Sequence, residues 1–163
     1  MVYKYMLIWY LLISFQFSQA QNTSLNFSLE DLNGKNRMLS EFTDKGPVYI
    51  NFWALWCQPC RAELKTMQAI YEKYSEKGFT LLAISIDTPR SLAKVKSFFS
   101  SQNFTMPCLL DPNSKVFEKL NGQSLPYSIL IDKSGKIAKT RTGYLPGDEK
   151  FIEQDIVKIL QNE

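Results

Sequence analysis

The sequence predicts an α/β fold, a β-sheet covered by helices. Three observations point there. Apolar, β-prone runs alternate along the chain with segments whose apolar residues recur at helical spacing. Two runs, Val48 to Trp53 and Phe79 to Ile86, are apolar almost throughout, the pattern of strands buried on both faces. Gly46-Pro47, Lys77-Gly78, Asp111-Pro112 and Ser134-Gly135 punctuate the boundaries. With 163 residues, 45% hydrophobic and 21% charged, the chain fits one globular domain. A domain of about 150 residues buries roughly 68–70% of its unfolded surface, so it needs no staple for stability. The net charge of +3, from 19 scattered basic and 16 acidic residues, argues against a nucleic-acid partner. The absence of histidine removes His-assisted catalysis and most catalytic zinc or copper sites.

In chain order, residues 1–20 read as a secretory signal peptide. Lys4 is followed by an apolar run from Tyr5 to Phe17 and by small residues in Ser18-Gln19-Ala20. The run falls short of the about 20 residues that span a bilayer. An uncleaved N-terminal anchor is the alternative, and it would be the only membrane tether. Residues 21–163 then form the domain. Leu25 to Leu29 and Arg37 to Leu39 are predicted strands joined by an Asn33-Gly34 turn. Val48 to Trp53 is the first buried strand. Leu64, Met67, Ile70, Tyr71 and Tyr74 mark a helix closed by Lys77-Gly78. The strand Phe79 to Ile86 follows, then a helix over Ser91 to Ser101 with Leu92, Val95, Phe98 and Phe99 on one face. Met106 to Leu110 is a short strand and Ser114 to Leu120 a short helix. Tyr127 to Ile131 and Lys136 to Thr142 are paired strands around a Lys133-Ser134-Gly135 turn. Asp148 to Leu160 is the last helix, with Ile152, Ile156, Ile159 and Leu160 aligned.

Cys57 and Cys60 stand where the first buried strand hands over to its helix. Unpaired N–H groups and the positive helix end stabilise a thiolate there, and such settings lower a cysteine pKa from about 8.5 to roughly 3.5–7.5. Cys57, on the exposed lip of the turn, is the expected nucleophile. Cys60, inside the first helical turn, is the expected resolving thiol. Pro59 suits the first helical turn, where its missing N–H costs nothing. A purely structural bridge is disfavoured, because so short a loop constrains the unfolded chain little. Cys108, in the apolar run Pro107-Cys108-Leu109-Leu110, reads as a buried thiol. Asn22, Asn26 and Asn103 begin N-x-S/T sequons.

The run Asn51-Phe52-Trp53-Ala54-Leu55-Trp56-Cys57-Gln58-Pro59-Cys60-Arg61-Ala62-Glu63 resembles the extracytoplasmic thioredoxin-like thiol–disulfide oxidoreductases of the TlpA/ResA type. A bare CxxC is weak evidence; the tryptophans, the proline and the downstream glutamate make it specific. The resemblance implies a thioredoxin fold: a central mixed β-sheet flanked by helices, an N-terminal β-hairpin, and a strand and helix inserted around Met106 to Leu120. It implies a redox-active Cys57–Cys60 disulfide with no other cofactor and no metal. It implies that Pro126, after Leu125, is cis and packs against the cysteine pair, with the backbone before it binding substrate chain; an ordinary trans proline is the alternative. Trp56 would shield the nucleophile and offer an apolar rest for substrate, while Gln58 and Pro59 would tune the thiolate. Glu63 would move a proton to or from Cys60, or else be an ordinary first-turn glutamate. Asn51 stands where cytoplasmic thioredoxins carry a buried aspartate. Lys65 and Tyr127 depart from the family's usual proline and threonine.

The implied activity is exchange of disulfides with protein substrates in the periplasm, in the reducing direction, with electrons from an external thiol protein. Reduction of apocytochrome c cysteines before haem attachment is one such task, and general disulfide reduction another. A peroxiredoxin-like peroxidase would need a proline seven residues and a threonine three residues before the cysteine, where this chain has Ile50 and Ala54. A copper-delivery module would have two soft ligands in the CxxC and no histidine.

Overall fold

A computed structural model describes residues 25–161; residues 1–20, expected to be a signal peptide, and the sequon at Asn22 lie outside the described residues. In chain order the strands are β1 (Ser28–Asp31), β2 (Asn36–Met38), β3 (Val48–Trp53), β4 (Thr80–Ser85), β5 (Cys108–Leu110), β6 (Tyr127–Ile131) and β7 (Ile137–Thr142). The helices are α1 (Ser40–Thr43), α2 (Gln58–Tyr74), α3 (Leu92–Ser101), α4 (Lys115–Lys119) and α5 (Glu149–Gln161). The seven strands form one mixed sheet in the order β2-β1-β5-β4-β3-β6-β7. β3, β4 and β5 run parallel, and β6, β7 and the N-terminal hairpin run antiparallel to their neighbours.

Both hairpins turn on the same chemistry. Asp31 Oδ1 accepts the N–H groups of Asn33 and Lys35, and Asp132 Oδ1 accepts those of Ser134 and Lys136. Three residues after each aspartate stands a glycine at positive φ, Gly34 at 78° and Gly135 at 80°, where a side chain would be strained.

Every residue of β3, β4 and β6 is buried, as their near-continuous apolarity requires. Side chains alternate across the sheet. Tyr49 and Trp53 face the layer of α2, α3 and α5, with Leu64, Met67, Phe99, Ile152 and Ile156. Val48, Ile50 and Phe52 face α1 and α4, with Phe42, Val116 and Phe117. Trp53 packs on Phe98 and Phe99, with ring centroids 5.4 Å apart in each case. Phe52 packs 5.4 Å from Phe117, which fastens the inserted α4 to the central strand.

Most boundaries lie within a residue of expectation, and three differences bear on the packing. The first strand begins at Ser28, not Leu25, because Leu25 and Phe27 pack into the core beneath the sheet instead. Leu39 is not in a strand; it is fully buried at the entrance of α1, a helix that the sequence reading did not foresee. That helix is one turn long, too short to show periodicity. The strand expected over Met106 to Leu110 pairs only from Cys108.

Candidate active site

β3 ends at Trp53, and the turn after it is closed by the Cys57 N–H donating to the Ala54 carbonyl at 3.0 Å. The turn is tied to the neighbouring strand. Asp87, just past β4, accepts the Leu55 N–H and the Ser85 hydroxyl on one carboxylate oxygen, each at 2.9 Å. Cys57 caps α2 with extended backbone, and its sulfur accepts the Cys60 N–H at 3.2 Å. Gln58 and Pro59 open the helix and are exposed. Cys57 and Cys60 are joined by a disulfide. An amide aimed at the Cys57 sulfur and the positive end of a 17-residue helix both favour negative charge there once the bridge opens.

Cys57 was expected on an exposed lip, yet it is only 5% exposed, and Cys60 is fully buried. The Cys57 sulfur is bonded to that of Cys60 in the first helical turn. The exposed group is Trp56, at 71%. The Leu125–Pro126 peptide is cis and Pro126 is buried. In the antiparallel register of β3 and β6, Phe52 lies opposite Tyr127, so Pro126 falls beside Trp53 at the end of the sheet that carries the cysteines. Its carbonyl accepts the Gly143 N–H at 2.8 Å, and Leu125 is half-buried against both cores. The disulfide, Trp56, Gln58, Pro59 and the Leu125-Pro126 pair thus gather at one end of the sheet. Cys108 is elsewhere, in β5; burial pushes its thiol up, and the sulfur lies 3.8 Å from the Leu109 carbonyl.

Glu63 shares the inner face of α2 with Cys60 and is 1% exposed. Burial pushes its carboxyl up to about 7. Asn51 lies beside the carboxyl and the Tyr49 hydroxyl bonds to it, both working against that rise; Asp148 adds to it and Arg141 opposes it. Tyr49 Oη is 3.2 Å from Glu63 Oε1 and 2.7 Å from Ser128 Oγ. The amide atoms of Asn51, and Glu63 Oε2, are buried with no hydrogen bond of normal geometry among the described residues.

Tyr49, Ser128 and Asp87 were missed in the sequence. A signal existed for the first two: Tyr49 and Asn51 are the polar-tipped residues of β3 and alternate onto one face, and Ser128 is the polar residue of the apolar β6. For Asp87 there was none, since a carboxylate just past a strand reads as surface.

The profile of the AhpC/TSA family matches residues 20–140. The thiol–disulfide oxidoreductase ResA of Geobacillus thermodenitrificans is 33% identical over 138 residues, 85% of this chain and 76% of that protein. ResA of Bacillus cereus is 36% identical over 118 residues, 72% of this chain and 66% of that protein. Among solved structures, a thiol:disulfide interchange protein DsbE from Chlorobium tepidum superposes with a TM-score of 0.77 at 30% identity, covering 84% of this chain and 94% of that one. StoA from Bacillus subtilis superposes at 0.64 with 21% identity, covering 80% of this chain and 97% of that one, a likeness of fold.

Proposed function

The chain belongs to the AhpC/TSA family and is a thiol–disulfide oxidoreductase similar to ResA, and from that premise we propose that it acts as a reductant of protein disulfides outside the cytoplasm. One observation supports the roles: a bridged CxxC on a helix N-terminus, with a carboxyl that burial holds near 7 on the same helix face.

In the reduced protein the Cys57 thiolate attacks one sulfur of a substrate disulfide. A Cys57–substrate bond forms, and the other substrate sulfur leaves as a thiolate. Cys60 then gives its proton to Glu63 and attacks the Cys57 sulfur. The internal bridge forms and the second substrate sulfur departs. Two electrons have passed to the substrate, whose thiolates take up two protons. A carboxyl poised near 7 can accept the Cys60 proton and return it when an external thiol protein reopens the bridge. Electrons travel through the cysteine pair with no further cofactor. Trp56 supplies an apolar seat for the substrate chain, Gln58 and Pro59 set the poise of the thiolate, and the backbone at Leu125 and Pro126 holds the chain in line. Residues 1–20 serve as the export signal. Apocytochrome c cysteines awaiting haem fit the substrate class, as do other exported disulfides. Membership in the AhpC/TSA family brings no peroxidase reading with it, since Ile50 and Ala54 occupy the positions that chemistry needs.

The test is insulin reduction in dithiothreitol. Residues 21–163 should accelerate it and Cys57→Ser should abolish the acceleration; full activity in that variant removes Cys57 from the mechanism. Equilibration with glutathione should place the pair nearer thioredoxin, at about −270 mV, than DsbA, at about −120 mV, and a value near the latter would reverse the direction.

A further inference from the structure

Tyr49 and Ser128 lie in no part of the exchange chemistry, yet they are bonded to its buried carboxyl. Tyr49 is 2% exposed and Ser128 3%. Their strands are adjacent, with Asn51 opposite Ser128, so the serine lies diagonal to Tyr49 on the face that α2 covers. Tyr49 Oη has one hydrogen and two partners, Ser128 Oγ at 2.7 Å and Glu63 Oε1 at 3.2 Å. It therefore donates to one and accepts from the other.

Resting on the role given to Glu63 above, we propose that Tyr49 and Ser128 are positioning residues whose hydroxyl chain reverses direction each time Glu63 gains or loses its proton. With the carboxylate, Ser128 donates to Tyr49 and Tyr49 donates to Glu63. With the neutral acid, the Glu63 O–H donates to Tyr49 and Tyr49 donates to Ser128. Only the hydroxyl hydrogens rotate and no heavy atom moves; the proton that Glu63 gains or loses is the one it exchanges with Cys60. Each protonation state keeps a partner at this oxygen, whereas a fixed donor would leave an O–H there with no acceptor. This suits a carboxyl that must change state in every catalytic cycle while shut away from water.

Other groups face the carboxyl as well. Asp148 precedes α5, Arg141 stands on β7 opposite Ser128, and Tyr144, bonded to Thr66 and Glu149, feels the same charge. The variants below leave all of these unchanged.

The two hydroxyls make opposite demands on the pH profile. Tyr49→Phe removes a partner from both states of Glu63, but the bond to the charged carboxylate is the stronger, so the anion is disfavoured and the pH inflection of the exchange rate should rise by about one unit. Ser128→Ala leaves that donor but takes the acceptor that Tyr49 needs when Glu63 is neutral, so the inflection should fall. Ser128→Thr, which keeps a hydroxyl, should bring it back. The rate of bridge opening by dithiothreitol, followed by tryptophan fluorescence between pH 5 and 9 and corrected for dithiothreitol's own ionisation, gives the profile. Shifts of one sign in both variants, no shift in either, or a Ser128→Thr profile like that of Ser128→Ala would overturn the proposal. Should Tyr49→Phe fail to fold, the alanine–threonine comparison at 128 decides alone. Glu63→Gln separates the layers. If it abolishes the inflection while the hydroxyl variants leave it in place, only this inference falls; if the inflection survives in Glu63→Gln, the role of Glu63 itself falls.

Discussion

Glu63 is the residue on which the site's chemistry and the fold's stability pull in opposite directions. Its folded carboxyl holds a proton up to about pH 7, against an ordinary value of 4.5. The contribution to stability is therefore full below about pH 4.5 and is lost as pH rises through 7, where burying the charge works against the fold. Glu63→Gln should accordingly stabilise the oxidised protein at pH 8, by about 2 kcal/mol, and gain nothing at pH 4. Thermal melts at the two values measure it, and an equal effect at both would mean that the carboxyl titrates normally. The same residue marks a boundary of sequence reading. Its spacing from Cys60 was visible, since three residues apart means one helix face. Its burial was not, because that depends on Tyr49 and Asn51 of a strand reaching it from across the core.

At the scale of elements, the strand–turn–helix carrying the cysteines was legible to within a residue or two. β3 and β6 lie where their apolar runs lie, and the helix starts where Pro59 and the N-terminal signals put it. The inserted α4 shows what local reading misses. Its N-cap position, Ser114, sits in the left-handed region with φ 54° and makes no capping bond. Asp111 substitutes for it: its buried carboxylate accepts the N–H groups of Val116 at 3.0 Å and Phe117 at 2.9 Å. A cap from that distance follows from how the loop folds, and no fixed spacing announces it. Asp111→Ala should cost about 1–2 kcal/mol and speed amide exchange in Lys115–Lys119 well above that of β3. Unchanged exchange there would leave the packing of Val116 and Phe117 as the anchor of the helix.

For the molecule as a whole, two apolar layers on either side of the sheet carry the stability, and the disulfide carries little of it. A bridge between residues three apart removes only about 2 kcal/mol of chain entropy from the unfolded state. Reduced and oxidised forms should both unfold cooperatively, with melting points within about 10 °C of each other. A reduced form without a cooperative melt would make the bridge structural. The layered α/β architecture and the place of the cysteines were settled by patterns that act locally: period-two and period-3.6 hydrophobicity, a helix-starting proline, turn glycines. Such patterns depend only on near neighbours along the chain, and so they can be read from it. The tether from Asp87 to Leu55 and the Ser128–Tyr49–Glu63 chain join residues 14 to 79 positions apart. Those contacts exist only once the sheet has brought β3, β4 and β6 side by side, because burial and hydrogen-bond partnership are properties of the packed layers and not of any one segment.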